Sequence, residues 1–210
     1  MGDLAAMTPD RPPAPFGHDQ LMSSDLRRWA YGVAETELAV PLPQRWAHSQ
    51  GVARRAAELA AVVGDNADLL AAAAILHDVG YAPRLAATGF HPLDGARYLR
   101  DVHDADQRLV RLVANHSFAV LEAGERGLPD ALESEFPLLE DQFLVDALVW
   151  CDMTTTPEGE PTTTAERITE ITSRYGAGSV VGRFIARASP EILAAVARVE
   201  SVVAAQPRRE

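Results

Sequence analysis

The sequence contains no lysine: all 19 of its basic residues are arginine, against 30 aspartates and glutamates. This absence excludes lysine Schiff-base chemistry and the lysine-dependent phosphate loop of P-loop proteins. Any phosphate recognition must therefore rest on arginine, backbone amides or metal. The net charge of -11 also argues against a general nucleic-acid-binding protein, which needs a broad basic surface.

Cysteine and long apolar runs are scarce as well. Cys151 is the single cysteine, which excludes an internal disulfide and suits a reducing cytoplasm. The longest apolar run, residues 69–76, is far shorter than a membrane span and stops at a His-Asp pair. The N-terminus is acidic and proline-rich, where a signal peptide needs a positive start and an apolar stretch. We therefore expect a cytoplasmic protein that does not enter a membrane.

Residues 1–20 are rich in proline and glycine and lack apolar periodicity, which predicts a flexible N-terminal segment. In residues 21–210 the apolar positions recur at helical spacing, and no stretch alternates as a half-buried strand does. We therefore predict one all-α domain of about seven to nine helices with no significant sheet. Its core spans about residues 40–160, and C-terminal helices follow over residues 161–205.

Capping residues, glycines and prolines set the ends of the predicted helices. Gly80 is expected to end the third helix as its C-terminal cap. Ser189 is expected to cap the last helix, with Pro190 in its first position. Thr163 and Glu166 have the spacing of a capping box and predict a helix after residue 163. Besides the helix after residue 163, the predicted helices cover about residues 24–38, 43–63, 66–79, 91–102, 105–127, 129–136, 140–153 and 189–205.

The adjacent pair His77-Asp78 stands at the end of ADLLAAAAILHD, the most apolar predicted helix. Burying an ionised aspartate without a partner is costly, so another group must compensate its charge. At the C-terminal turn of a helix, both side chains can contact one cation, which the free helix carbonyls also favour. Taken alone, the pair is equally compatible with a hydrogen-bonded helix end that faces solvent.

Four further segments each offer a residue that can bind metal: His48, His91, His116 and Asp152. Any one of them alone is more readily explained as a core or surface residue. Together with the His-Asp pair they make four histidines and two aspartates on five predicted helices, which suits a two-metal site. Neutral imidazole and carboxylate favour iron or manganese, with cobalt, nickel or magnesium as alternatives.

The order of these residues resembles the metal-binding signature of the HD-domain superfamily, and AAAAILHDVGY is similar to its core HD helix. The resemblance spans about residues 40–160 and implies an all-α HD-domain helical bundle. It also implies a metal-dependent phosphohydrolase. By this resemblance the first metal is held by His48, His77, Asp78 and Asp152.

The same resemblance implies that Asp78 bridges to a second metal, which His91 and His116 complete. This arrangement is similar to the subset that binds two metals, such as HD-type diadenosine polyphosphate hydrolases and HD-GYP cyclic dinucleotide phosphodiesterases. The sequence departs from the hydrolytic members in one position, because Tyr81 stands where many have the lysine of HD-x-G-K. The HD-GYP signature is absent, so cleavage of cyclic di-GMP is not expected.

Two metal ions would lower the pKa of a shared water and stabilise the oxygens at phosphorus. We therefore predict hydrolysis of a phosphomonoester or phosphodiester in a nucleotide-like or other small phosphorylated metabolite. Asp78 is expected to be catalytic through the metals, and Asp94 to transfer protons from the helix face of His91. The predicted substrate-binding residues are Arg45, Arg84, Tyr81 and Thr154.

Two other functions use the same residues. HD-type di-iron oxygenases resemble the chain in their four histidines and two aspartates, and they differ from hydrolases in needing iron and O₂. A non-catalytic HD domain that senses a ligand or binds a partner is the second alternative. The apolar terminal helices are also compatible with a homodimer.

Overall fold

The computed structural model describes residues 23–206, and the flexible segment predicted for residues 1–20 lies outside them. The described residues confirm the all-α prediction, since they contain helices, short 3₁₀ turns and an isolated bridge between Thr155 and Pro161 but no strand. The eleven α-helices are Ser23–Leu38 (α1), Pro43–Glu58 (α2), Ala60–Val63 (α3), Ala67–Leu76 (α4), His91–His103 (α5), Gln107–Asn115 (α6), Ala119–Arg126 (α7), Pro129–Glu135 (α8), Gln142–Met153 (α9), Thr164–Tyr175 (α10) and Val180–Ala204 (α11).

Helix α4 lies at the centre of the bundle. It packs against α1, α2, α6 and α9, so it has neighbours on all sides. Its side chains explain this position, because residues 69–76 are apolar without interruption and all of them except the half-buried Ala71 are buried. The helix that leads into the His-Asp pair is therefore held in place by its neighbours.

The stretch Ala60–Tyr81, which includes α4, is apolar enough to cross a membrane by length and composition alone, with a mean hydropathy of 1.3. Core helices pass the same test. Here the stretch is divided between α3, α4 and the 3₁₀ turns Gly64–Asn66 and Val79–Tyr81, and α4 is enclosed by other helices. Burial in the core accounts for its composition.

A second apolar cluster joins the C-terminal helices to the bundle. Helix α11 packs against α9, α10 and α7. Helix α11 contributes Phe184, Ile185 and Ile192 to this cluster, where they pack against Val149 and Met153 of α9. The C-terminal helices are therefore positioned over the end of α9, where Asp152 lies.

The role predicted for Gly80 is corrected by the structure. Helix α4 ends at Leu76, and Gly80 lies beyond it in the 3₁₀ turn Val79–Tyr81. The glycine is needed for a close approach: a Cβ there would lie 2.0 Å from the carbonyl oxygen of His91 and 2.5 Å from the amide nitrogen of Gly95. The turn after the His-Asp pair is thus in direct backbone contact with α5.

Two predicted helices are each divided by a break. The region 43–63 is interrupted at Leu59, which separates α2 from α3. Gly64 follows α3 with a φ of 56°. The region 105–127 breaks after Asn115, where Ser117 and Phe118 have φ values of 49° and 63°. Periodicity did not reveal this second break, because the apolar spacing continues across it.

The predicted start of the last helix is wrong. Helix α11 begins at Val180, capped by Ser179, and continues through Pro190. Proline inside a helix costs about 3 kcal/mol or more, and burial of the preceding turn in the second cluster offsets this cost. Ser189 is no cap, and its hydroxyl donates to the carbonyl of Ile185. The capping box of Thr163 and Glu166 is present as predicted.

We expect Gly80→Ala to destabilise the protein by about 1–3 kcal/mol, the usual cost of overpacking, because the contact with His91 is with backbone that cannot rotate away. Gly124→Ala is the matched control: a Cβ there meets nothing within 4 Å. Since Gly124 is exposed within α7, this change should be neutral or stabilising by up to about 1 kcal/mol. Denaturant unfolding of both variants measures the difference, and equal midpoints would contradict the close packing.

Candidate metal centre

Three histidines from different elements each have the ring fixed by a hydrogen bond from Nδ1 to a backbone carbonyl. His77 at the end of α4 and His116 after α6 donate from Nδ1 to the carbonyls three residues earlier, each at 2.7 Å. His48 of α2 makes the equivalent bond to the carbonyl of Thr156 at 2.9 Å. Donation from Nδ1 leaves a lone pair on Nε2, which is how metal-binding imidazoles are oriented in proteins.

The Nε2 atom of His77 is buried and has no hydrogen-bond partner among the described residues. A buried polar atom without a partner costs about 1–3 kcal/mol. The nearest carboxylate oxygens are Asp78 Oδ2 at 3.4 Å and Asp152 Oδ1 at 3.9 Å, both too far for a good hydrogen bond. A cation between these atoms would satisfy all of them.

Asp78 lies between two groups of imidazoles. Its Oδ2 faces Nε2 of His77 and His48, at 3.4 and 3.9 Å. Its Oδ1 faces Nε2 of His91 and His116, at 3.3 and 4.0 Å. The structure thus forms two clusters able to hold a metal ion, and both include Asp78.

Asp152, at the end of α9, completes the side nearer His48. Its Oδ1 lies 3.1 Å from Nε2 of His48. Its Oδ2 accepts a hydrogen bond from the hydroxyl of Ser117. The left-handed backbone of Ser117 makes this contact available, since the break after α6 turns the serine toward α9.

Charge compensation keeps the two carboxylates ionised. Burial alone would raise the pKa of Asp78, but the charges of Arg45 and His77 hold that pKa well below its ordinary value. Burial also opposes ionisation of Asp152, but nearby positive charges, including those of His77 and Arg167, lower its pKa strongly. Two buried negative charges therefore face the imidazoles.

The imidazoles differ in their tendency to bind a proton. Burial lowers the pKa of His116 to about 4, and the neighbouring His91 and His77 contribute in the same direction. Burial also lowers the pKa of His91. For His77 burial is outweighed by the charge of Asp78, which raises its pKa. The His91–His116 pair, with Nε2 atoms 3.1 Å apart, is thus neutral near pH 7 and ready to act as a ligand.

Tyr81, in the position of the expected lysine, lies in a stack beside the cluster. Its ring stacks on that of His91, with the two centroids 3.8 Å apart. The guanidinium carbon of Arg45 lies over the Tyr81 ring, 4.0 Å from its centroid. Arg45 also donates from Nη1 to Asp78 Oδ2 at 2.7 Å. The tyrosine therefore fixes both an imidazole and the cation that contacts the shared carboxylate.

A cleft of about 90 Å³ opens onto this cluster. Arg45 and Tyr81, two of the predicted substrate-binding residues, line it together with Asp78, His91, His116 and Asp152. Helices α10 and α11 form the facing wall with Arg167, Tyr175, Phe184, Ile185 and Ile192. A lining of apolar side chains with a few charged groups is typical of small-molecule sites.

The predicted proton-transfer role of Asp94 is corrected. The buried carboxylate accepts bonds from the backbone N–H and hydroxyl of Thr88 and from the N–H of Gly89, at 2.9–3.1 Å. It does not line the cleft. Asp94 shares the first turn of α5 with His91, but it stabilises the loop that precedes the helix.

Two predicted substrate-binding residues also lie elsewhere. Arg84 pairs with the buried Glu37 and with the hydroxyl of Tyr98, away from the cleft. The Thr154 hydroxyl donates to the carbonyl of Trp150 and accepts from Arg55 Nε, so it serves the end of α9. The sequence could not show that Arg45 lines the cleft while Arg84 and Thr154 do not, because the direction of each side chain depends on its partners in the folded chain.

Sequence analysis did not identify the other residues that line the cleft, among them Ser117, Glu122 and Arg167. Ser117 gave no signal before its backbone conformation was known. Glu122 is buried and paired with Arg126, four residues later on α7. Arg167 did offer a signal, since a cation near the N-terminus of a helix is disfavoured by the helix dipole and so needs another reason to be there.

The HD domain family model matches residues 45–168, more than half of the chain. The chain therefore belongs to the HD domain family. No curated protein and no solved structure gives a significant match. The matched region contains both His-Asp clusters, whereas most of α10 and all of α11 lie beyond it.

The residues present fit a divalent metal. The orphaned Nε2 of His77, the convergent imidazoles and the shared Asp78 are all features that a cation would satisfy. Nitrogen and carboxylate ligands without a thiolate suit iron, manganese, cobalt or nickel, and the donor set does not choose among them.

We expect His77→Ala and Asp78→Ala each to lose most of the bound metal while the helical fold is kept. Removing a direct ligand should weaken metal binding by more than the roughly 10–100-fold typical of outer hydrogen-bond partners. Metal content after dialysis and far-UV circular dichroism measure the two effects. His103→Gln is the control, because His103 lies between Trp29 and Tyr98, outside the clusters. Full metal content in the His77 and Asp78 variants would refute the centre.

His91→Ala tests the two-metal arrangement separately. Because His91 faces only the Oδ1 side of Asp78, this variant should retain the metal on the His48 side and lose the other. Elemental analysis should then show half the metal content of the unchanged protein. An unaltered content would mean that the centre holds a single ion.

Proposed function

We propose that this protein is a metal-dependent phosphohydrolase that cleaves a phosphomonoester or phosphodiester bond of a small phosphorylated metabolite. The observation that carries the proposal is the position of Asp78, whose two oxygens each face a separate pair of imidazoles. Membership of the HD domain family supports it, since that family consists mostly of metal-dependent hydrolases.

When bound, a pair of divalent ions would supply an activated water and neutralise charge on the phosphoryl oxygens. Hydrolysis would form a bond from the water oxygen to phosphorus and break the ester P–O bond, and the proton released by the water would balance the leaving alkoxide. We propose six side chains as the ligands of these ions: His48, His77, His91, His116, Asp78 and Asp152.

The chain's own groups bind and orient the substrate. Arg45 keeps guanidinium N–H groups beyond the one bonded to Asp78, and it lines the cleft, so it can donate to a phosphate oxygen. Tyr81 holds Arg45 in place by stacking and limits its movement. The apolar side chains of the facing wall exclude water around the ester, which strengthens these charge interactions.

The protein should hydrolyse phosphorylated metabolites only when loaded with metal. The experiment is a screen of phosphate esters with protein reconstituted with Mn²⁺, run in parallel under air and under nitrogen. We expect phosphate release under both gases, with loss of activity in His77→Ala. The His103→Gln variant serves as the control outside the centre.

The screen also separates the other functions. Turnover that needs iron and consumes O₂, with none under nitrogen, would identify a di-iron oxygenase and overturn the proposal. Metal-loaded protein that binds phosphate esters and turns none over would identify a non-catalytic HD domain. Phosphate release under nitrogen excludes both.

We further propose a cytoplasmic location, in keeping with the single buried Cys151. The substrate is proposed to be a small phosphorylated molecule, since the net charge of -11 does not suit general nucleic-acid binding. A homodimer remains a prediction that sedimentation or light scattering can test.

A further inference from the structure

We infer that α10 and α11 supply the substrate-recognising half of the cleft: Arg167 binds the phosphate anion, and an apolar wall binds a compact hydrocarbon part of the ester. This inference rests on the proposed function and names its substrate class. It concerns residues at and beyond the end of the region that matches the HD domain family.

Arg167 is placed by the start of α10. The capping box of Thr163 and Glu166 fixes the first turn, and Arg167 follows directly. Its side chain is only 9% exposed and lines the cleft beside Arg45 and Asp152. A long cationic side chain is almost never buried to this extent unless it is paired or functional.

The pairing of Arg167 is incomplete. Glu170, which is partly exposed, contacts its Nη1, while Nε is buried and has no hydrogen-bond partner among residues 23–206. An arginine has five N–H donors, so a single carboxylate leaves most of them unused. A phosphate group, with several acceptor oxygens, matches this guanidinium fork better than a single carboxylate does.

The surroundings of Arg167 add positive charge. A smaller cavity next to the cleft is lined by Arg45, Arg167 and Arg174, together with Gln44 and His48. Glu170 contacts both Arg167 and Arg174, and Arg45 is paired with Asp78, so two carboxylates contact the three arginines here. In a chain with a net charge of -11, this concentration of arginine beside the centre favours an anion.

Apart from Tyr175, the rest of the facing wall is apolar. Phe184, Ile185 and Ile192 of α11 line the cleft with Ile171 of α10 and Met153 of α9. The carboxylate of Glu122, which also lines the cleft, already accepts a hydrogen bond from Arg126. A wall of this kind offers few partners for the hydroxyl or base-edge groups of a sugar or nucleobase, whose burial without hydrogen bonds is unfavourable. It therefore selects an ester of an apolar alcohol.

The anion-binding part is tested with inorganic phosphate as the probe. Calorimetric titration of Mn²⁺-reconstituted protein measures its affinity for the unchanged protein and for Arg167→Met. We expect binding to weaken by about ten-fold or more, because a charge-assisted hydrogen bond is lost. Arg187→Met is the matched control, since Arg187 is an exposed arginine of α11 paired with Glu125.

A further variant, Glu170→Gln, separates anion binding from a purely structural role. It removes the charge that pairs with Arg167 and leaves the guanidinium in the cleft, so phosphate affinity should be unchanged or higher. An equal loss in Glu170→Gln would show that the ion pair is what matters, and this would overturn the inference. If Arg167→Met does not fold, Arg167→Lys removes the guanidinium fork and keeps the charge, and its affinity should lie below that of the unchanged protein.

The apolar wall is tested with two esters of similar size and similar leaving groups, cyclohexylmethyl phosphate and glucose 6-phosphate. We expect kcat/KM to be about ten-fold or more higher for the first, from burial of its ring. Phe184→Leu should reduce this preference without changing phosphate affinity. Val199→Ala, a buried change on α11 outside the cleft, should leave the preference unchanged.

The outcomes distinguish this inference from the proposed function. Hydrolysis with unchanged phosphate affinity in Arg167→Met, or with equal use of both esters, overturns the inference and leaves the hydrolase intact. Absence of both hydrolysis and phosphate binding in the metal-loaded unchanged protein overturns the proposed function. Weaker phosphate binding in Arg167→Met alone, together with the preference for the apolar ester, supports both.

Discussion

The rest of the structure depends on one buried carboxylate. Asp78 is ionised within a helical core, where Arg45 and His77 compensate its charge and imidazoles from four different parts of the chain surround it. Breaking such an arrangement by removing one partner leaves an uncompensated buried charge, which is strongly destabilising. Helix α4 delivers this carboxylate because its own apolar side chains fix it at the centre of the bundle.

Interruptions of the helices, more than the helices themselves, direct side chains into the centre. Helix α4 ends at Leu76; His77 still has helical dihedral angles, and the backbone departs from the helix at Asp78. The left-handed residues after α6 turn Ser117 toward Asp152, and the glycine at position 80 brings the following turn against α5 and His91. Each break costs local stability, and the buried charges of the centre offer a physical reason for keeping it.

The absence of lysine has a structural counterpart in the cleft. Tyr81 stands where a lysine is expected, and it stacks between Arg45 and His91. The positive charge is thus moved from the turn after α4 to arginines on α2 and α10. Arginine is suited to this position because its planar guanidinium stacks on an aromatic ring and still presents N–H groups to an anion.

The sequence by itself determined the helical regions and the set of His and Asp residues, because apolar periodicity and residue chemistry are local properties. It could not separate Arg45 from Arg84, or Asp94 from Asp152, since the direction of a charged side chain is set by partners far away along the chain. The tertiary structure alone decided that Arg167 faces the centre. Its position depends on α11 packing on α9, an apolar contact that no local pattern specifies.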